Sequence, residues 1–350
     1  MKLLSLLLLW CCVTNALSYT LERPYLYCTR PQHILHNSRP SLHAAADGTD
    51  NNKTTSMIIK NKLQKKIASR KKRVEIGYAL SSAGYAIFII IALLKYSFSY
   101  SASFISSGLI LPSGISFILK KASTAADENR LSSDTYKRLN LALGTYGVIG
   151  LFSNGIIAKP FRFGWIITNL CAIINSIKGF GYGLKGWDLK KVAVLPEFVD
   201  GAKATVLTMI QIRNNNISSA GYQLSAWLFF VWNILTLRNL VDVYSSSKGL
   251  LPPLLLQSLA FRIKKIMLLM VISFTLKDAA DRKRLGGTTF RELNFLNSVA
   301  SAVLAAYYFH QSLIIGGAAL ALNSIFCASN GMTATKKFRS RERNQKVNRN

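Results

Sequence analysis

Acidic residues are scarce in this chain: 15 Asp and Glu stand against 44 Lys and Arg over 350 residues. Histidine is scarcer, four in all, and only His310 lies beyond residue 43. Metal hydrolysis needs several convergent His, Cys or acidic ligands. One late histidine with two distant cysteines does not supply them, so no metal site, cofactor or catalytic constellation is expected. Carboxylates are missing from the centres of the apolar segments, with Asp242 at the end of one, which disfavours proton-coupled cation transport. Of five cysteines, Cys11, Cys12 and Cys28 fall near the N-terminus. The remaining two, Cys171 and Cys327, sit in apolar segments, so no disulfide framework is implied. Charged residues make up only 17% of the chain, too few to clothe the two or three soluble domains its length would allow.

What is abundant is apolar surface. Half the residues are hydrophobic and the mean hydropathy is positive. The basic excess therefore has no large soluble body to sit on, which argues against nucleic acid as a partner. It fits a membrane protein whose basic loops lie on one side, against anionic headgroups.

Met1-Lys2 followed by an apolar run to Trp10, then small residues to Ser18, reads as a secretory signal, 1–18. Residues 19–56 have three acids, scattered Arg, many hydroxyl-bearing side chains and no periodicity. A signal followed by such a tract, with Ser18-Tyr19-Thr20 at the junction, resembles the bipartite leaders of algae and related protists with complex plastids. That resemblance covers the leader alone and implies a plastid membrane. A disordered luminal N-terminus of an ER or other secretory-pathway protein is the alternative. In 57–73, Ile59, Leu63 and Ile67 recur every fourth residue among eight Lys and Arg, a basic amphipathic helix suited to a membrane surface.

The remainder contains echoes. Ser81-Ser82-Ala83-Gly84-Tyr85 returns as Ser218-Ser219-Ala220-Gly221-Tyr222, and Phe117-Ile118-Leu119-Lys120 as Phe274-Thr275-Leu276-Lys277. The longest echo, ungapped, pairs Ala125-Ala126-Asp127, Arg130-Leu131, Thr135 and Leu139-Asn140 with Ala279-Ala280-Asp281, Arg284-Leu285, Thr289 and Leu293-Asn294. These echoes predict an all-α, polytopic transmembrane bundle of about eight spans, arranged as two parallel four-helix repeats. Repeat 1 covers 74–191 and repeat 2 covers 217–330, with an interfacial linker at 192–216 and a basic disordered tail at 331–350.

Apolar stretches near 76–95, 101–120, 140–158, 163–178, 223–240, 254–276, 293–309 and 313–329 are the expected spans. Pro112 and Gly114 are expected to break the second. Arg262, Lys264 and Lys265 interrupt the sixth, leaving a separate turn or helix before a span that starts near Ile266. With eight spans, nearly all basic residues outside them fall on one side, as the positive-inside rule requires.

The repeated corner supplies candidate gate residues. Asp127 with Arg130, and Asp281 with Arg284, stand three residues apart, a spacing that pairs them on a helix; Thr135 and Thr289 are candidate N-caps. Gly179 to Gly186 with Lys185 reads as a flexible span exit or an anion-binding nest. Arg162, Lys185, Arg238, Arg262, Lys264 and Lys265 would attract a small anion if they face a cavity, and otherwise snorkel to headgroups. The expected function is a carrier or channel for an anionic or neutral small solute. The alternative is a non-transporting scaffold, assembly or membrane-shaping protein that binds anionic lipids or protein partners. An enzyme is not expected.

Overall fold

Apolar runs separated by short polar corners become helices because a buried backbone must satisfy its own N–H and C=O groups. The computed structural model describes residues 50–96, 100–124, 133–153, 159–185, 199–200, 203, 216–246 and 253–347. It contains α1 (Asp50–Tyr96), α2 (Tyr100–Thr124), α3 (Asp134–Phe152) and α4 (Arg162–Lys185), the last preceded by a 3-10 turn, Lys159–Phe161. Then follow α5 (Ile217–Ser246), α6 (Pro253–Asp281), α7 (Thr288–His310) and α8 (Ile314–Val347). No strand occurs among the described residues. The signal, the leader to 49 and nearly all of the linker lie outside them.

The chain forms two compact units, Met1–Lys66 and Ile67–Asn350. In the first, the described residues are helical. In the second, α2 packs on α7, α6 on α3, and α2 on α6, while α3–α4, α5–α6 and α7–α8 pair as neighbours.

Among the described residues, three segments are long and apolar enough to cross a membrane: Gln64–Leu94, Lys159–Gly181 and Ile314–Thr333. Their outer faces are apolar at helical spacing. Leu80, Ile87, Ile90 and Leu94 are exposed on α1, Phe163, Ile167, Leu170, Ile174 and Ile177 on α4, and Ile315, Leu322 and Ile325 on α8. Stripes of this length suit hydrocarbon, not water. Polar residues turn inward instead: Asn140, Asn169, Asn294 and Asn297 are fully buried.

Four expectations about helix limits need correction. Pro112 does not break α2. Arg262, Lys264 and Lys265 do not interrupt α6, a continuous helix of 29 residues. The Gly-rich stretch after residue 179 remains helical to Lys185. A side chain at Gly179 would collide with the Tyr78 hydroxyl, so this glycine serves a close approach of α1 and α4. The basic tail, expected to be disordered, continues α8 to Val347.

Candidate functional site

Proline at position 112 removes one helical N–H and crowds the carbonyl four residues back, which is Gly108. Tyr146 of α3 repairs the defect by donating its hydroxyl to the Gly108 oxygen at 2.8 Å. Tyr146 is thereby fixed, ring and all, at the centre of a buried aromatic group. Its ring meets Tyr85 edge-on at 5.7 Å between centroids, and Tyr85 meets Trp165 at 6.1 Å. Trp165 donates its indole N–H to the Gly150 oxygen at 2.9 Å, one of the last carbonyls of α3.

Lys264 of α6 ends inside this group. Its Nζ lies 4.4 Å from the ring centroid of Phe261 and 4.5 Å from those of Tyr146 and Trp165. It donates to the Ser153 hydroxyl at 3.1 Å, and that hydroxyl donates to Gly150 O at 3.2 Å. Ser153 is the C-cap of α3, so the ammonium sits at the negative end of that helix's dipole. Burying a lone ion costs several kcal/mol. Each desolvated ring face contributes about 2 kcal/mol and the helix end up to about 2 kcal/mol, which lowers that cost.

Lys264 and Lys265 are both 0% exposed, which corrects the expectation that they snorkel. Lys265 turns the other way, its Nζ 5.2 Å from the ring centroid of Tyr307 on α7. The two lysines are adjacent in sequence but reach opposite halves of the chain.

A second cluster closes one end of the bundle. Lys121, at the end of α2, pairs with Glu292 at the start of α7. Asp278, near the end of α6, pairs with Arg138 of α3 at 3.4 Å. Arg282 bridges Asp278 at 3.1 Å and Asp134 at 3.6 Å, and the Tyr136 hydroxyl meets Thr289 Oγ1 at 2.8 Å. Both polar corners therefore stand at the same end.

The sequence echoes give this collar a second meaning. Lys120 aligns with Lys277, so Lys121 matches Asp278; Leu139 aligns with Leu293, so Arg138 matches Glu292. The same two matched positions meet twice, once as Lys–Glu and once as Asp–Arg.

The Asp281–Arg284 pair expected at the second corner does not form. Helix α6 ends at Asp281, and Lys283 takes a left-handed φ of 56°. Arg284 N–H then reaches back to Ala279 O at 2.7 Å, a Schellman closure that carries Arg284 off the helix. Asp281 instead pairs with Lys277 at 2.8 Å and accepts the Ser219 hydroxyl. Asp127 and Arg130 lie outside the described residues. Thr135 and Thr289 are not caps: Ser133 and Gly287 hold those positions, with no side-chain bond.

The candidate anion-attracting residues are not gathered in one place. Arg238 is exposed and pairs with Asp242 one turn on, at 3.8 Å. Arg162 opens α4 and is half-buried, as is Arg262 on α6. Lys185 ends α4, and its side chain is outside the described set. Among the candidates whose side chains are described, Lys264 and Lys265 are the two that are fully buried.

The five-residue echo also changes meaning. Tyr222 donates to Asn294, and the matching bond to Asn140 comes from Tyr78. Tyr85, its partner in the echo, instead donates to Asn169 at 3.1 Å. The letters match two helical turns away from the matching contacts. No protein-family model, curated protein or solved structure matches the chain.

Proposed function

We propose that the protein is a non-transporting membrane scaffold: eight spans in two parallel four-helix bundles, with its basic rim seated on anionic lipid headgroups. It acts without catalysis, in an internal membrane, for which the leader favours a plastid over the secretory pathway. The observation that carries this reading is the wall between the halves. Alternating access needs two halves that rock about a solvated site. Here α2–α7 and α3–α6 bury Leu111, Ile115, Ile118, Leu119, Leu143, Leu269, Ile272 and Leu293 in one core, closed at one end by the ion-pair collar.

The charge distribution supports the lipid partner. Lys72 and Arg73 of α1, Lys121 of α2, and Arg282, Lys283 and Arg284 after α6 are exposed near the end where the corners meet. A polybasic surface gains about 1 kcal/mol per Lys or Arg against anionic lipid. The polarity exchange between matched positions supports duplication of an ancestral bundle, and the shared end supports a parallel arrangement.

A carrier for an anionic or neutral solute remains the second reading, favoured by the buried amides Asn294 and Asn297. Purified protein reconstituted into vesicles separates the two. No saturable uptake is expected for any of a panel of inorganic and organic anions, while raising the anionic lipid fraction is expected to raise thermal stability. Saturable, protein-dependent uptake of any one solute overturns the scaffold reading.

A further inference from the structure

The third helix of each half carries an asparagine held by a tyrosine, yet the two asparagines finish differently. Asn140 accepts from Tyr78 and donates its own amide to Tyr136 O at 3.0 Å. Asn294 accepts from Tyr222, but its Nδ2 finds no acceptor among the described residues. One turn deeper, Asn297 donates to Ser273 Oγ and Cys327 Sγ, both at 3.3 Å, and its Oδ1 finds no donor. Both asparagines are 0% exposed.

An orphaned donor and an orphaned acceptor thus stand three residues apart on α7, about 5–6 Å between Cβ atoms. Each is costly if left unmade, and hydrocarbon offers no substitute. The surroundings are polar too: Asn323 donates to Ser301 Oγ at 2.8 Å, and Ser298 bonds the Ser324 carbonyl at 2.9 Å. The three matched positions on α3 carry no polar side chain. Where α7 has Asn297, Ser298 and Ser301, α3 has Leu143, Gly144 and Gly147.

We propose that the second half holds ordered water between Asn294 and Asn297, beside Ser273 and Cys327. Water both donates and accepts, so one molecule completes the amide of Asn294 and the carbonyl of Asn297. This polar stretch begins one turn below Ser219 and Asp281, at the charged end, which gives water its way in. This inference does not depend on whether any solute crosses the membrane.

Radiolytic footprinting tests it, because radicals formed from bound water oxidise the residue beside it. Full-length protein in vesicles is irradiated in 18O-water and read by mass spectrometry. Tyr222 and Cys327 are expected to take up label while Tyr85, equally buried at 0% exposed, does not. Asn297→Leu, which copies the residue at 143, is expected to lose the Cys327 label while keeping its thermal transition. Tyr222 and Cys327 labelled no more than Tyr85 overturns the proposal, as does Cys327 label that persists unchanged in Asn297→Leu. Should that variant fail to fold, the wild-type contrast between Tyr222 and Tyr85 decides alone.

Discussion

Lys264→Glu is expected to lose about 3–5 kcal/mol of stability, the cost of a buried charge without compensation, whereas Lys264→Met is expected to stay within about 1 kcal/mol of the parent or exceed it. The two substitutions separate charge from volume. Glutamate would set a carboxylate against three ring faces, whose quadrupoles repel it, and at the negative end of α3. Methionine would fill the same space, bring no charge and leave the Ser153 hydroxyl its bond to Gly150 O. Trp165 forms one wall of the site, so tryptophan emission during thermal unfolding reports on both variants. Equal damage from Met and Glu would show that the rings and helix end do not compensate the ammonium as argued here.

Asp278→Lys is expected to cost about 3 kcal/mol, because breaking a buried pair leaves an uncompensated charge. Arg138 and Asp278 have side chains only 9% and 18% exposed, and Arg282 would lose its nearer partner as well. The reversed pair, Arg138→Asp with Asp278→Lys, is expected to recover part of the loss, the coupling a double-mutant cycle isolates. Recovery should be incomplete, since Arg282 would then face a lysine. Lys121→Glu should cost far less. Its pair with Glu292 is 49% and 27% exposed on the two sides, where such contacts contribute about 0–1 kcal/mol. Thermal unfolding with and without added salt measures both; an Asp278→Lys loss no larger than that of Lys121→Glu would contradict the buried-collar reading.

Helix positions were legible in the sequence because apolar runs and polar corners are local signals. The polar breaks before α3 and α7 were legible for the same reason. What the pattern misjudged was each place where a distant residue repairs a local defect. Pro112 reads as a break in the sequence, whereas Tyr146, thirty-four residues on, satisfies the carbonyl it frees. Lys264 looked interfacial because a lysine amid leucines ordinarily seeks water; its three rings come from positions 146, 165 and 261. Gly179 looked like loop chemistry, while its cause is the Tyr78 hydroxyl on another helix. The pentapeptide echo misled in the opposite way. Ser, Gly and Tyr recur readily on small-faced helices, and only the tyrosine–asparagine bonds reveal which turns correspond.

Everything proposed about orientation requires both corners to emerge on one side of the membrane. Single cysteines at Ser133 and Gly286, in a background from which all five native cysteines are removed, place that question on two exposed or open positions. Sealed vesicles of uniform orientation are treated with an impermeant maleimide before and after permeabilisation. Both positions are expected to react from the same side. Reaction from opposite sides would contradict a parallel pair of bundles.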